Sequence, residues 1–241
     1  NITSQTFYVI ISKGDVSSSG SYSLTLHDSY TMTGHPILKP YAVGAYAFQG
    51  CTGLSSVSVG CDSILACAFY DCTSLQSVTL RDGVKSLGTK CIDNTALTSI
   101  LLPASVTDAK NNSFDHAPDL TAINVDAGNE TYASWNGALY TKDYSKLIRL
   151  PEGKTSIPFH DNITAIGDYA CLRCSKLYNV SIPYGVTVGT EAFQLCSGIY
   201  KMVHPSSLGR AANIPYFTTL TESYLNFPPP PDHRNKTIRR P

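Results

Sequence analysis

Cys171-Leu-Arg-Cys174 has the spacing of a redox dithiol or of half a zinc site, and it is the most chemical-looking motif in this 241-residue chain. A tetrahedral structural zinc needs a second Cys or His pair, and the sequence offers no further CxxC to complete one. The other cysteines weaken the motif further. Cys51, Cys72, Cys174 and Cys196 recur at one position of a repeated phrase, where thiols serve as small hydrophobes lining a core. Neighbouring rungs of a stacked chain lie about 4.8 Å apart, a spacing that also permits a disulfide if the side chains point suitably. Cys61 and Cys67 are the candidate disulfide pair outside that ladder. Six histidines, His27, His35, His116, His160, His204 and His233, show no HExxH or other ligand spacing and read as turn residues. No GxSxG, Walker loop or GxGxxG is present, and no recurrent carboxylate pair marks a hydrolase site. The expectation is a non-enzyme without metal or cofactor.

Charge and hydropathy narrow the partners. With 18 Lys plus Arg against 18 Asp plus Glu there is no net field to attract nucleic acid or an anionic membrane. The apolar stretch Phe7 to Ile11 is far too short to span a bilayer, so direct membrane insertion is not expected. The chain starts at Asn1 rather than Met, which suggests a processed or truncated product. Six Asn-x-Ser/Thr sequons stand at Asn1, Asn111, Asn129, Asn162, Asn179 and Asn235, against roughly two or three expected by chance. Two readings stay open: a secreted or cell-surface glycoprotein, and Ser/Thr-rich turns that are never glycosylated.

The elements that must position these residues come from a repeat. AFQGCTGLSSVSV from Ala47 to Val59 returns as AFYDCTSLQSVTL from Ala68 to Leu80. Weaker copies begin at Cys91, Ser113, Ala170 and Ala192, giving anchor spacings of 21, 23, 22, 57 and 22 residues. Each unit ends in alternation, as in Val57-Ser58-Val59, which predicts a short strand with one buried face. The AFxxC part spaces apolar residues at i, i+1 and i+4, which predicts one irregular helical turn on the opposite wall. One such unit cannot bury both faces alone, whereas stacked copies form a parallel sheet and a continuous core.

GAYAFQGCTGLSSVSV, and AIGDYACLRCSKLYNVSIP from Ala165 to Pro183, resemble the BspA-type leucine-rich repeats, whose usual pattern is IGxxAFxxCxxLxxVxIPxSVTxIG. Asn129 to Pro151, NETYASWNGALYTKDYSKLIRLP, resembles that family's longer unit. The likeness covers roughly Lys39 to Val203. Cys91, Cys171 and the deletion at Asn94-Thr95 depart from the pattern. The resemblance implies an α/β solenoid: a right-handed superhelix with short parallel strands, short helical or irregular convex turns, and here an N-terminal β-hairpin cap. It also implies adhesion or binding of a protein partner, such as a host or matrix protein, from a secreted or cell-surface location.

Three segments follow. Residues 1–38 hold two strand-like runs, Thr6 to Ser12 and Ser21 to His27, read as the hairpin cap. Residues 39–207 form the solenoid. Residues 208–241 carry Tyr216, Phe217, Tyr224 and Phe227, then the stiff run Pro228, Pro229, Pro230 and Pro231. This aromatic, proline-rich end is the candidate for self-assembly into a fibre or surface layer through the solenoid ends; a cap on its own chain is the alternative. On the concave face the binding candidates are Ser58, Thr79, Leu101, Asn124 and Ser181.

Overall fold

The computed structural model describes residues 42–203 and the backbone of Tyr22–Leu26. In chain order the strands are β1 (Tyr22–Leu26), β2 (Ala42–Val43), β3 (Leu54–Val59), β4 (Ser63–Ile64), β5 (Ser77–Leu80), β6 (Ser86–Leu87), β7 (Ser99–Leu102) and β8 (Asp108–Ala109). They continue as β9 (Ala122–Val125), β10 (Tyr132–Trp135), β11 (Ala138–Thr141), β12 (Lys146–Arg149), β13 (Ala165–Ile166), β14 (Asn179–Ser181), β15 (Thr187–Val188) and β16 (Lys201–Val203).

Each turn of the solenoid lays down one main strand, one two-residue strand and one arc. Main strands pair in parallel as β1-β3-β5, β7-β9 and β14-β16, and the short strands as β2-β4-β6-β8. Registers join equivalent residues of successive units: Val57 with Val78, Val59 with Leu80, Ile100 with Ile123, Val180 with Met202. Alternation fixes that register. In β5 and β7 the exposed and buried residues alternate, and a slip of one residue would turn Val78, Leu80, Ile100 and Leu102 outward. The segment around Ser21 to His27 supplies β1, which lies parallel to β3 as a further rung of the main sheet. Its expected hairpin partner, Thr6 to Ser12, lies outside the described residues.

The arcs differ from the expected helical turn. Tyr46, Phe48 and Gly50 donate their N–H groups to the carbonyls of Ala66, Ala68 and Tyr70 on the next rung, at 3.1, 2.8 and 2.8 Å. Between them Ala47, Gln49 and Cys51 donate back within the rung to Gly44, Tyr46 and Phe48. The same alternation recurs from Cys67, Phe69 and Asp71 to Thr89, Cys91 and Asp93, and from Tyr169, Cys171 and Arg173 to Thr190, Ala192 and Gln194. Positive φ at the first and fifth arc positions, as at Cys67 (55°) and Asp71 (59°) or Tyr169 (55°) and Arg173 (63°), points every second amide along the stack. An α-helix would keep all these amides inside one rung, so cross-rung bonding and helix formation compete and the ladder wins. Among the described residues the helical element is the 3-10 turn Asn111–Phe114.

Close rung contact explains the glycine that follows a buried aliphatic residue at Leu87-Gly88. A Cβ on Gly88 would stand 2.7 Å from the backbone of Leu65 and Ala66. The longer unit interrupts the stack with an antiparallel hairpin, β10-β11, closed by Asn136 and Gly137, both at positive φ as a tight type I′ hairpin turn requires. The core divides at this point. One cluster runs from Val43 to Leu139 and includes Phe69, Ile92 and Phe114; the other runs from Ala138 to Met202 and includes Cys171, Cys174 and Phe193.

Candidate functional site

Six of the eight thiols are buried and two, Cys51 and Cys67, are partly exposed. All eight cysteines are free, the candidate pair Cys61 and Cys67 included. Burial pushes Cys72, Cys91 and Cys196 up to about 12 and also raises Cys171 and Cys174, so these thiols stay protonated and poorly nucleophilic at neutral pH. Their sulfurs donate to backbone oxygens across the stack, Cys72 to Phe48 at 3.0 Å and Cys196 to Cys171 at 2.9 Å. Cys171 and Cys174 are buried core residues of one arc. No cluster of three or more His, Cys, Asp or Glu able to hold a metal occurs among the described residues.

A buried polar network bridges the two core clusters. Arg149, at the end of β12, is wholly enclosed and reaches Glu152 at 2.9 Å, Asp115 at 3.4 Å and the carbonyl of Tyr169 at 3.2 Å. Glu152 Oε1 also accepts the His116 N–H, and His116 Nδ1 lies 2.9 Å from Asp93 Oδ2. Burial raises both Asp115 and Glu152 above the ordinary carboxylate range, and the attraction of Arg149 opposes that rise. This is a structural clasp, since it holds the long unit against the preceding rung.

The sequons separate by geometry. Asn129 is buried, with its Nδ2 donating to Pro103 (3.0 Å) and Val106 (2.8 Å) and its Oδ1 accepting from Thr131 and Tyr132. Asn111 Nδ2 donates to the Asp168 carbonyl at 2.6 Å across the junction. Asn162 and Asn179 are exposed, and Asn162 Nδ2 makes a 3.2 Å bond to the Asp143 carbonyl. Asn1 and Asn235 lie outside the described residues, as do His27, His35, His204, His233, Tyr216, Phe217, Tyr224, Phe227 and Pro228 to Pro231.

The main sheet brings together some of the expected face residues. Ser58 and Thr79 are register partners, as are Leu101 and Asn124, while Ser181 lies farther along on β14 opposite Val203. Arg81 Nε donates to Ser58 Oγ at 3.0 Å, which occupies that hydroxyl. Sequence reasoning missed the most prominent feature of this surface. Tyr178 and Tyr200 stack with centroids 5.4 Å apart and planes 6° from parallel, although they are 56% and 64% exposed. They stand one residue before β14 and β16, at the corner where the Leu-x-x-Val spacing leaves two outward residues between buried ones. The signal was a matching pair: Tyr recurs 22 residues apart where earlier units carry Gln76, Thr98 and Thr121. Asn179 and Lys201, paired beside them, complete an amphipathic patch.

No helix among the described residues is long and apolar enough to cross a membrane. Comparison with curated proteins returned no match. Among solved structures the chain is similar to the pneumococcal vaccine antigen PcpA, at 19% identity and a TM-score of 0.56, with 78% of this chain and 62% of that one covered. It is also similar to a leucine-rich repeat protein from Eubacterium ventriosum ATCC 27560, at 21% identity and a TM-score of 0.53, covering 68% of this chain and 57% of that one. The match spans less than two thirds of either protein's length, and at these identities it shows the fold. The BspA type leucine-rich repeat region matches in six copies over residues 41–143 and 152–217. With most of its length inside that match and its rungs stacked as described, the chain belongs to the BspA-type leucine-rich repeat family.

Proposed function

We propose that the chain is a non-enzymatic repeat protein, secreted or held at a cell surface, that binds a protein partner of the host or extracellular matrix through the C-terminal part of its main sheet. The observation that carries this is the exposed Tyr178–Tyr200 stack. Tyrosine is a preferred hot-spot residue because it buries large area at small conformational cost, and two rings already ordered against each other lose even less on contact. Asn179, Ser181 and Lys201 provide a polar rim. The vaccine-antigen role of the structurally similar pneumococcal protein supports a surface location, and so does the excess of sequons. A right-handed superhelix, an N-terminal hairpin cap over residues 1–38 and a separate C-terminal segment, 208–241, belong to the same reading. Glycans fit Asn162 and Asn179 better than Asn129, whose amide nitrogen already has two acceptors. A glycan on Asn179 would cover the tyrosines, so occupancy there and partner binding exclude each other.

Surface plasmon resonance against a panel of extracellular matrix proteins tests the reading. The Tyr178→Ala/Tyr200→Ala variant should weaken binding at least about tenfold, equivalent to about 1.4 kcal/mol, while Ser58→Ala/Thr79→Ala binds as the parent. Parent-like binding by the tyrosine variant would overturn it. A second reading, a self-assembling subunit, is favoured by the aromatic and proline-rich composition of residues 208–241, which suits an extended arm lying along a neighbouring copy. Removal of residues 216–241 should then abolish assembly seen by sedimentation while the chain stays folded.

A further inference from the structure

Trp135, at the end of β10, is 40% exposed and does not face the solenoid core. Its indole stands nearly perpendicular to the His160 ring, at a centroid distance of 4.7 Å and 82°. His160 in turn stacks flat on Tyr144 at 4.2 Å and 11°. The three rings thus make a corner of two aromatic walls. The corner is rigid: Tyr140 donates its hydroxyl to the Pro158 carbonyl at 2.7 Å, Phe159 and Ile157 pack on the core, and Tyr144 N–H closes on the Thr141 carbonyl at 2.9 Å. His160 Nδ1 accepts the Asn162 backbone N–H at 3.1 Å, so a neutral imidazole carries its proton on Nε2 and donates from there. Exposed Asp161 follows directly in sequence and adds carboxylate acceptors.

We propose that this corner is a carbohydrate site that takes one neutral pyranose residue of a glycan. A pyranose has an apolar face of C–H groups, weakly positive and matched to the negative face of an aromatic ring, and an equatorial belt of hydroxyls that needs donors and acceptors at its edge. The corner supplies both. The site lies on the inserted hairpin and the 157–163 loop, and it is independent of the Tyr178–Tyr200 face.

Trp135 is the single tryptophan of the chain, so tryptophan emission, excited selectively at the red edge where tyrosine does not absorb, reports on this corner alone. The full chain is titrated with methyl glycosides of glucose, galactose and mannose, with N-acetylglucosamine and with N-acetylgalactosamine. At least one should give a saturable change in the millimolar range, with glycerol giving none. By saturation-transfer NMR the signal of that sugar should vanish in Trp135→Ala and weaken about tenfold or more in His160→Ala, while Tyr178→Ala/Tyr200→Ala retains it. The wild-type titration needs no variant to fold: a linear response to all five sugars, matched by glycerol, overturns the proposal. So does a sugar signal that survives in Trp135→Ala.

Discussion

Two aromatic pairs in this molecule share one geometry and occupy opposite environments. Phe48 and Phe69 stack at 5.3 Å and 6° on the inner side of the arcs; Tyr178 and Tyr200 stack at 5.4 Å and 6° on the outer surface. Each pair joins equivalent positions of successive units, so the rung spacing of about 4.8 Å brings like side chains into contact whichever way they point. What differs is solvent. Phe69 is fully enclosed, and its stack contributes burial and packing. The tyrosine stack buries little and keeps its edges wet, so it adds little to stability and remains available to a partner. A repeat therefore yields ordered columns on both sides of its wall, and only the inner ones are spent on folding.

The two halves of the core sharpen the contrast. The N-terminal cluster fills its arcs with Phe48, Phe69, Ile92 and Phe114, whereas the C-terminal cluster places Cys171 in the Phe slot beside Cys174 and Cys196. Arg149 joins the two, and its loss should rank with the largest effects in the molecule. Arg149→Ala leaves Asp115 and Glu152 without their buried cation, at a cost of about 3–5 kcal/mol in chemical denaturation at neutral pH. That loss should shrink on acidification. Both carboxyls have folded pKa values raised by burial, so they favour the folded state below the ordinary carboxylate range of about 4 and cost stability as pH rises through their folded values. A loss independent of pH would remove the carboxylates from the clasp.

Asn129→Ala comes next, at about 1–3 kcal/mol, because it unpairs buried groups at the start of the long unit. Differential scanning calorimetry would read this, and glycopeptide mapping of native material should find no glycan at Asn129 even where Asn162 carries one. Modification of the native protein by a thiol reagent should produce a difference of position rather than of stability. Cys51 and Cys67, both in the N-terminal half, are partly exposed and should react, whereas Cys171, Cys174 and Cys196 should stay protected until the chain unfolds. Rapid labelling in the C-terminal half would show that its core opens.

The stacking of units and the buried columns were legible in the sequence, because Val57, Val78 and Ile100 repeat with both the strand period and the unit period. The arcs were not. The spacing of Ala68, Phe69 and Cys72 fits a helical turn, and only the cross-rung hydrogen bonds of Cys67, Phe69 and Asp71, which depend on a neighbour in space, turn it into a ladder. The expected face was likewise drawn from strict alternation, which includes Ser58 and Thr79 but skips Tyr178 and Tyr200 at the corner. Trp135 and His160 are 25 residues apart and outside the repeat pattern, so no periodicity could pair them.

The most direct test sets the two stacks side by side in equilibrium denaturation. Phe69→Ala should lose about 3–5 kcal/mol through the cavity it leaves in a shared rung, and Tyr200→Ala should stay within about 0.5 kcal/mol of the parent. Equal losses from both, or a loss below about 1 kcal/mol from Phe69→Ala, would contradict a solenoid whose inner ring stack holds the fold while its outer stack does not.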